Sequence, residues 1–222
     1  MELYDAMRTT HAVRDFTDDP LPDEILARIL DNARFAPSGG NRQGGHVVVV
    51  RSQATRERLV ELTATGARRY IAQHKAGEMP WNTVHPTAVS EEQIAGTRVP
   101  RSMTEPLLTA PVVLVFLVDL GAVASIDSEL DRVGVVSGGS VYPLVWNTLL
   151  AARNEGFGGV MTTMAVAEEP AVLELLGAPE GYAVAAVVPM GKPVKQLTKL
   201  RRQAVEEFVT LETFSGAPLT DD

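Results

Sequence analysis

Apolar residues recur at helical spacing in one early stretch and fall into unbroken runs further on, and this contrast sets the expected elements. Ile25, Leu26, Ile29, Leu30 and Ala33 are three and four apart behind Pro22, which suits a helix first turn. The spacing predicts an amphipathic helix that ends before Pro37. The valine run at 47–50 predicts a buried strand, and residues 55–70 return to helical period with Leu59, Val60 and Leu62 facing inward. Residues 112–118 and 182–188 read as two further strands, with a short segment at 160–163 and a helix around 171–176 between them. The mostly apolar segment 133–152, stopped by Gly156, predicts a helix buried nearly all round. Its Gly138-Gly139-Ser140 run fits close approach by another helix better than a phosphate loop.

From about 75 to 106 the composition shifts to Pro, Thr, Glu and Gln with single aromatics such as Trp81, and no apolar period survives. An excursion of this length is expected to be a lid or, equally, a disordered insertion. A basic stretch follows at 192–202, and residues 203–222 read as a C-terminal arm. No strand is followed by a GxGxxG turn, so a Rossmann domain is not expected. The pattern as a whole predicts one α+β domain over residues 1–222, a central sheet with helices packed around it.

Composition narrows the chemistry. The chain has no cysteine, which removes disulfides, iron–sulfur clusters, thiolate zinc and a thiol nucleophile. Its four histidines show no metal-ligand spacing, so no metal site is expected and redox work would need an organic cofactor. A net charge of −8 argues against a nucleic-acid partner. The opening MELYDAMRTT has no long apolar core, so neither export nor membrane insertion is expected, and a cytoplasmic location follows.

Two constellations stand out. Arg8, His11 and Arg14 come at three-residue spacing and can converge on one anion, although pairing of Arg14 with Asp18 or Asp19 on a solvated surface explains them as well. Pro37-Ser38-Gly39-Gly40-Asn41-Arg42-Gln43 offers close backbone approach with donors and acceptors for a polyol or ring edge, and a plain turn would use the same residues.

The run RTTHAVRDFTDDPLPDEILARILDNARFAPSGGNRQ resembles the N-terminal signature of the FMN-dependent nitroreductase family. The likeness resumes at Glu155-Gly156-Phe157-Gly158, at Val188-Pro189-Met190-Gly191-Lys192-Pro193 and at Lys199-Leu200-Arg201-Arg202, and covers most of the chain outside residues 75–106. The resemblance implies a mainly antiparallel sheet in an intertwined homodimer that binds FMN between subunits. It implies that His11 and Arg14 approach the phosphate and ribityl chain, joined by Lys199 and Arg201, with Arg202 and Arg8 as additional candidates. Pro37, Ser38, Gly39 and Asn41 would line the flavin from the other subunit, and Met161, Thr162 and Thr163 would present backbone to the ring.

The implied activity is hydride transfer from NAD(P)H through flavin to a small electron-poor acceptor, a nitroaromatic or quinone, by a ping-pong mechanism with no protein nucleophile. A flavin-dependent dehydrogenase or desaturase, a dehalogenase, or a non-catalytic FMN-binding protein are the alternatives. Arg68 and Arg69 are candidates to steer the NAD(P)H phosphates, or else a solvent-facing pair. Three departures from the family pattern stand out: His11-Ala12 where a hydroxyl is usual, Gln203 after Arg201-Arg202, and Gly44-Gly45 in place of Pro-Trp, which implies a looser backbone.

Overall fold

A computed structural model describes residues 1–220; residues 221 and 222, the end of the expected arm, lie outside the described residues. The chain opens with α1 (Leu3–Thr9) and α2 (Asp23–Ala33), then β1 (Gly45–Val50) and the long α3 (Gln53–Lys75). Short helices α4 (Glu91–Ala95) and α5 (Pro106–Thr109) precede β2 (Val112–Asp119) and α6 (Tyr142–Asn154). β3 (Gly158–Gly159), α7 (Glu169–Leu176) and β4 (Tyr182–Gly191) complete the body. The four strands form one sheet in the order β1-β2-β4-β3, and every pairing is antiparallel.

β2 explains why this strand reads as an unbroken apolar run. It lies between β1 and β4, and helices cover both faces, so neither set of alternating side chains reaches water. Leu114 and Phe116 pack with Ile29 of α2 and Val145 of α6 on one side. Val113 and Val115 pack with Leu59 of α3 and Val172 of α7 on the other. Each such fully buried side chain contributes roughly 1.5–3 kcal/mol relative to an exposed one.

The excursion after α3 is held by local polar contacts. The Glu78 carboxylate accepts hydrogen bonds from the Thr87 hydroxyl (2.6 Å) and the Ala88 amide (2.7 Å), which pull its pKa below the ordinary value. A capping box at Ser90 and Gln93 opens α4. Where the excursion rejoins the sheet, the buried Arg56 guanidinium donates to the carbonyls of Ala110, Pro111 (2.8 Å) and Val50 (3.4 Å).

One expected element is corrected. The helix expected over 133–152 begins only at Tyr142, residues 137–140 form a tight 3-10 turn, and Val133, Val135 and Val136 are exposed. The physical reason is Asp127. Its carboxylate accepts from the Val135 amide (2.7 Å), the Arg132 guanidinium (2.8 Å) and the Val136 amide (3.3 Å), which ties this segment into a loop. These contacts, the Val135 amide foremost, lower the Asp127 pKa to about 2. Nor is α6 buried all round, since Tyr142 and Trp146 are 41% and 39% exposed. No helix of this chain packs on Gly138 and Gly139 as expected: a side chain at Gly138 would meet the Tyr142 ring, and nothing in the chain lies within 4 Å of Gly139.

Candidate functional site

The N-terminal and C-terminal constellations meet although they are far apart in sequence. Residues 13–17 run antiparallel to 192–194, with the Thr17 amide donating to the Lys192 carbonyl (2.9 Å) and the Val194 amide to the Asp15 carbonyl (3.1 Å). The Val13 amide donates to the Gly159 carbonyl (3.0 Å), which anchors the segment on β3. Gln196 closes the seam: its amide donates to the Thr9 carbonyl (3.0 Å) and lies 3.3 Å from Nδ1 of the half-buried His11.

The seam gathers positive charge without neutralising it. Arg14 is exposed and pairs with neither Asp18 nor Asp19 among the described residues; Asp19 pairs instead with Lys192 at 2.9 Å. That hydrogen bond, with a second from Thr17, holds the Asp19 carboxyl below its usual pKa. Among the described residues Arg8, Arg14, Lys199, Arg201 and Arg202 make no ion pair. Arg8, Lys199 and Arg202 line one cavity of about 510 Å³. Arg8 also lies over the Tyr4 ring at 5.8 Å, and Arg202 donates to the Arg201 carbonyl (2.7 Å).

Arg14 lines a second cavity, of about 460 Å³, together with Met161, Thr162, Thr163, Tyr70 and Pro189. Here the backbone alternates. The Thr162 amide and carbonyl are both spent on Val187 of β4, at 2.9 and 2.8 Å. The amides of Met161 and Thr163 on either side have no hydrogen-bond partner among the described residues. Of the three residues, Met161 and Thr163 are the ones that offer free N–H groups to a ligand.

Pro37 and Ser38 lie elsewhere, in a small cavity of about 140 Å³ with Gln43, Gly45, Ser140 and Leu144. The loop after Ser38 takes the left-handed conformation at Gly40 (φ 60°), Asn41 (φ 53°) and Gln43 (φ 52°). Two of these are not glycine, and such strain persists only where surrounding contacts over-determine it. The Gln43 amide donates to Ser38 Oγ (2.9 Å), the Asn41 amide to the Ser38 carbonyl (2.8 Å), and the Gly39 amide to Ser140 Oγ (3.1 Å). Gly44-Gly45 is not a looser stretch: a β-carbon at Gly44 would sit 2.7 Å from Ala122 Cβ, and one at Gly45 would sit 2.8 Å from Leu144. Close packing against the 120–122 turn demands glycine at 44, whereas at 45 the near atom is the movable end of the Leu144 side chain.

Arg69 is drawn away from solvent, with its guanidinium over the Trp81 ring at 4.3 Å; Arg68 is half-buried and makes no ion pair. Sequence reasoning missed β3, α1 as a helix, and Gln196, whose only signal was its place in the basic stretch. Among the described residues no three His, Cys, Asp or Glu side chains cluster as a metal site would need, and no helix is long and apolar enough to cross a membrane.

Comparison with known proteins bears on this arrangement. A Methanothermobacter thermautotrophicus protein with the provisional name NADH dehydrogenase/NAD(P)H nitroreductase is 31% identical over 67 residues, 30% of this chain, and the match spans 35% of that protein's length. An iodotyrosine deiodinase of Nematostella vectensis is 26% identical over 215 residues, 95% of this chain and 75% of that one. Among solved structures, oxidised iodotyrosine deiodinase bound to FMN and 3-iodo-L-tyrosine superposes with a TM-score of 0.68 at 22% identity, covering 96% of this chain and 100% of the other. The Vibrio harveyi NADPH:FMN oxidoreductase complexed with NAD+ gives 0.65 at 20% identity, covering 96% and 77%. At these identities the structures share the fold. The Nitroreductase family profile matches residues 7–192, which include the N-terminal side of the seam, the strained loop and the whole sheet, and the chain therefore belongs to the nitroreductase family.

Proposed function

We propose that this chain is an FMN-dependent oxidoreductase that passes hydride from NAD(P)H to a small electron-poor acceptor, with each active site shared between two copies. The observation that carries the proposal is an unneutralised cation beside free backbone amides: Arg14, with Met161 and Thr163, on one cavity wall. These residues fit FMN, since a phosphate suits guanidinium and ammonium donors and a flavin ring edge suits amide donors. FMN is named by both structural relatives, NAD(P)H by the Methanothermobacter relative and NADPH by the Vibrio harveyi structure.

In this reading Arg14, His11, Lys199 and Arg201 hold the phosphate and ribityl chain. Arg8 and Arg202 raise the local potential beside them, which offsets the overall charge of −8. Met161 and Thr163 donate from backbone to the ring edge. Pro37, Ser38, Gly39 and Asn41 of a second copy cover the other side. Bound FMN supplies the hydride chemistry, and the protein positions donor and acceptor in turn, so no protein nucleophile takes part.

A homodimer is supported by surface area. The described residues expose 13734 Å², whereas a compact monomer of 23.9 kDa exposes ~9,900 Å². The excess is on the order of 4,000 Å² per copy, so covering it in a dimer would bury roughly 8,000 Å² in total, in the class of the largest obligate interfaces. It includes Leu3, Tyr4 and Met7 of α1, Trp146 of α6, and Phe208 and Phe214 of the arm, the last fully exposed. One chain forming a single domain, with residues 75–106 as its lid and a cytoplasmic location, belongs to the same proposal.

The match to iodotyrosine deiodinases favours one second reading, a reductive dehalogenase on the same flavin. The test is the visible spectrum of the purified protein under argon, followed by NADPH and then nitrobenzene. The expected result is a yellow protein that bleaches and regains its colour. Failure to take up added FMN contradicts the proposal. Flavin that NADPH cannot reduce points instead to a non-catalytic FMN protein or to another donor, and reoxidation by a halophenol with halide release supports the dehalogenase.

A further inference from the structure

We propose that Trp81, backed by Arg69 and held by Gln73, is the specificity-determining wall of an acceptor subsite for a planar, uncharged ring. The inference rests on the flavin reading above and names the acceptor class of that site. A cavity of about 480 Å³ is lined by Tyr70, Trp81, Tyr142, Met164, Val166 and Val184, among others. It shares Tyr70, Thr163 and Met164 with the cavity that carries Arg14 and the free amides, so a molecule seated in it adjoins the proposed flavin position.

Three features make Trp81 a built wall. Its backbone is left-handed (φ 55°), a conformation a bulky residue keeps only when its neighbours fix it. Its amide donates to Oε1 of the buried Gln73 (2.9 Å), and its indole Nε1 donates to the Gly66 carbonyl (3.2 Å). The Arg69 guanidinium stacks on the indole at 4.3 Å, yet Arg69 does not line the cavity. Gln73 thus fixes the Trp81 backbone, while Arg69 and the Gly66 carbonyl hold the ring.

The cavity lining follows from this in chemical terms. No charged side chain faces the space, which disfavours an acceptor bearing a carboxylate or sulfonate. Aromatic and apolar walls favour a flat ring by stacking. The Tyr142 hydroxyl donates to the Ala185 carbonyl (3.2 Å), whereas the Tyr70 hydroxyl, at the junction of the two cavities, has no hydrogen-bond partner among the described residues. Tyr70 is the donor available to a nitro or quinone oxygen.

The experiment uses the FMN-loaded full chain, with nitrobenzene, 4-nitrobenzoate and dioxygen as alternative acceptors. Wild type is expected to show a lower KM for nitrobenzene than for 4-nitrobenzoate. Trp81→Leu should raise the nitrobenzene KM roughly three- to tenfold, the worth of one aromatic pair. FMN bound per chain should stay at the wild-type level, because Trp81 is not among the residues proposed to hold the flavin. Arg69→Met should raise the same KM by a few-fold and Arg69→Lys restore it, as expected of a cation behind a ring. A readout independent of turnover comes from Trp146→Phe, which leaves Trp81 as the one tryptophan of two and should give saturable quenching by nitrobenzene. If Trp81→Leu does not fold, Arg69→Met and Trp81→Phe carry the test. An unchanged nitrobenzene KM in a variant that binds FMN and is reduced by NADPH overturns the subsite alone, as does a wild-type preference for 4-nitrobenzoate. Failure of the wild type to bind FMN overturns the flavin reading and the subsite with it.

Discussion

The two halves of the proposed flavin site are built by opposite physical means. The Arg14 half is electrostatic: exposed cations without counter-ions, beside amides left free by the alternation around Thr162. The loop half, residues 37–43, carries Arg42 as its one formal charge and owes its shape to strained backbone at Gly40, Asn41 and Gln43, locked by Ser38 and Ser140. The halves line separate cavities in one chain. In the function proposed above, the second half comes from another copy of the chain.

The largest expected effect comes from keeping the halves apart. Trp146→Glu puts a charge into the proposed interface, where an unpaired buried charge costs about 3–5 kcal/mol. Sedimentation at micromolar concentration should show monomers that have lost FMN; an unchanged dimer would place Trp146 outside the interface. Arg14→Ala comes next. Losing one charge-assisted contact, worth about 1.5–3 kcal/mol, should weaken FMN binding roughly ten- to hundredfold. Its melting temperature without FMN should stay near that of wild type, because Arg14 is exposed and forms no ion pair. Asn41→Val acts on the other half and should do the reverse in part. A β-branched residue at φ 53° costs about 1–2 kcal/mol, so both apoprotein stability and FMN affinity should fall.

The smallest effect is a pH dependence at the Asp127 knot beside the loop. The folded pKa of Asp127 is lowered to about 2 from an ordinary 3.8, so its stabilisation is fully present above about pH 4 and is lost as pH falls towards 2. The difference in melting temperature between wild type and Asp127→Asn should shrink across that window. A constant difference would mean that the knot does not depend on the charge.

The same contrast governs what the sequence made legible. α2, β2 and β4 were readable because their apolar faces are buried within the chain; β1 formed where the valine run predicts a strand, but at the sheet edge with Val49 exposed rather than buried, and α3 proved longer than its periodicity suggested. Residues 133–136 misled because Val133, Val135 and Val136 look like core and instead lie on the surface, whereas Val141 is buried. β3 has only two residues, both glycine, and carries no pattern. The meeting of Arg14 with Met161 and Thr163 depends on long-range pairing that no local spacing encodes, so family resemblance supplied it. The role of Arg69 was hidden for a related reason, since its partner Trp81 lies in a stretch without period.

The central claim, one flavin site made from two chains, is tested most directly by mixing lesions. Arg14→Ala and Asn41→Val chains are co-expressed with different tags, heterodimers are isolated, and bound FMN is counted against each homodimer. If Arg14 of one chain and the loop of the other form each site, the heterodimer holds one site with both lesions and one intact site, and should bind one FMN at wild-type affinity. Heterodimers that bind FMN as poorly as either homodimer would contradict the account, because both halves would then belong to the same chain.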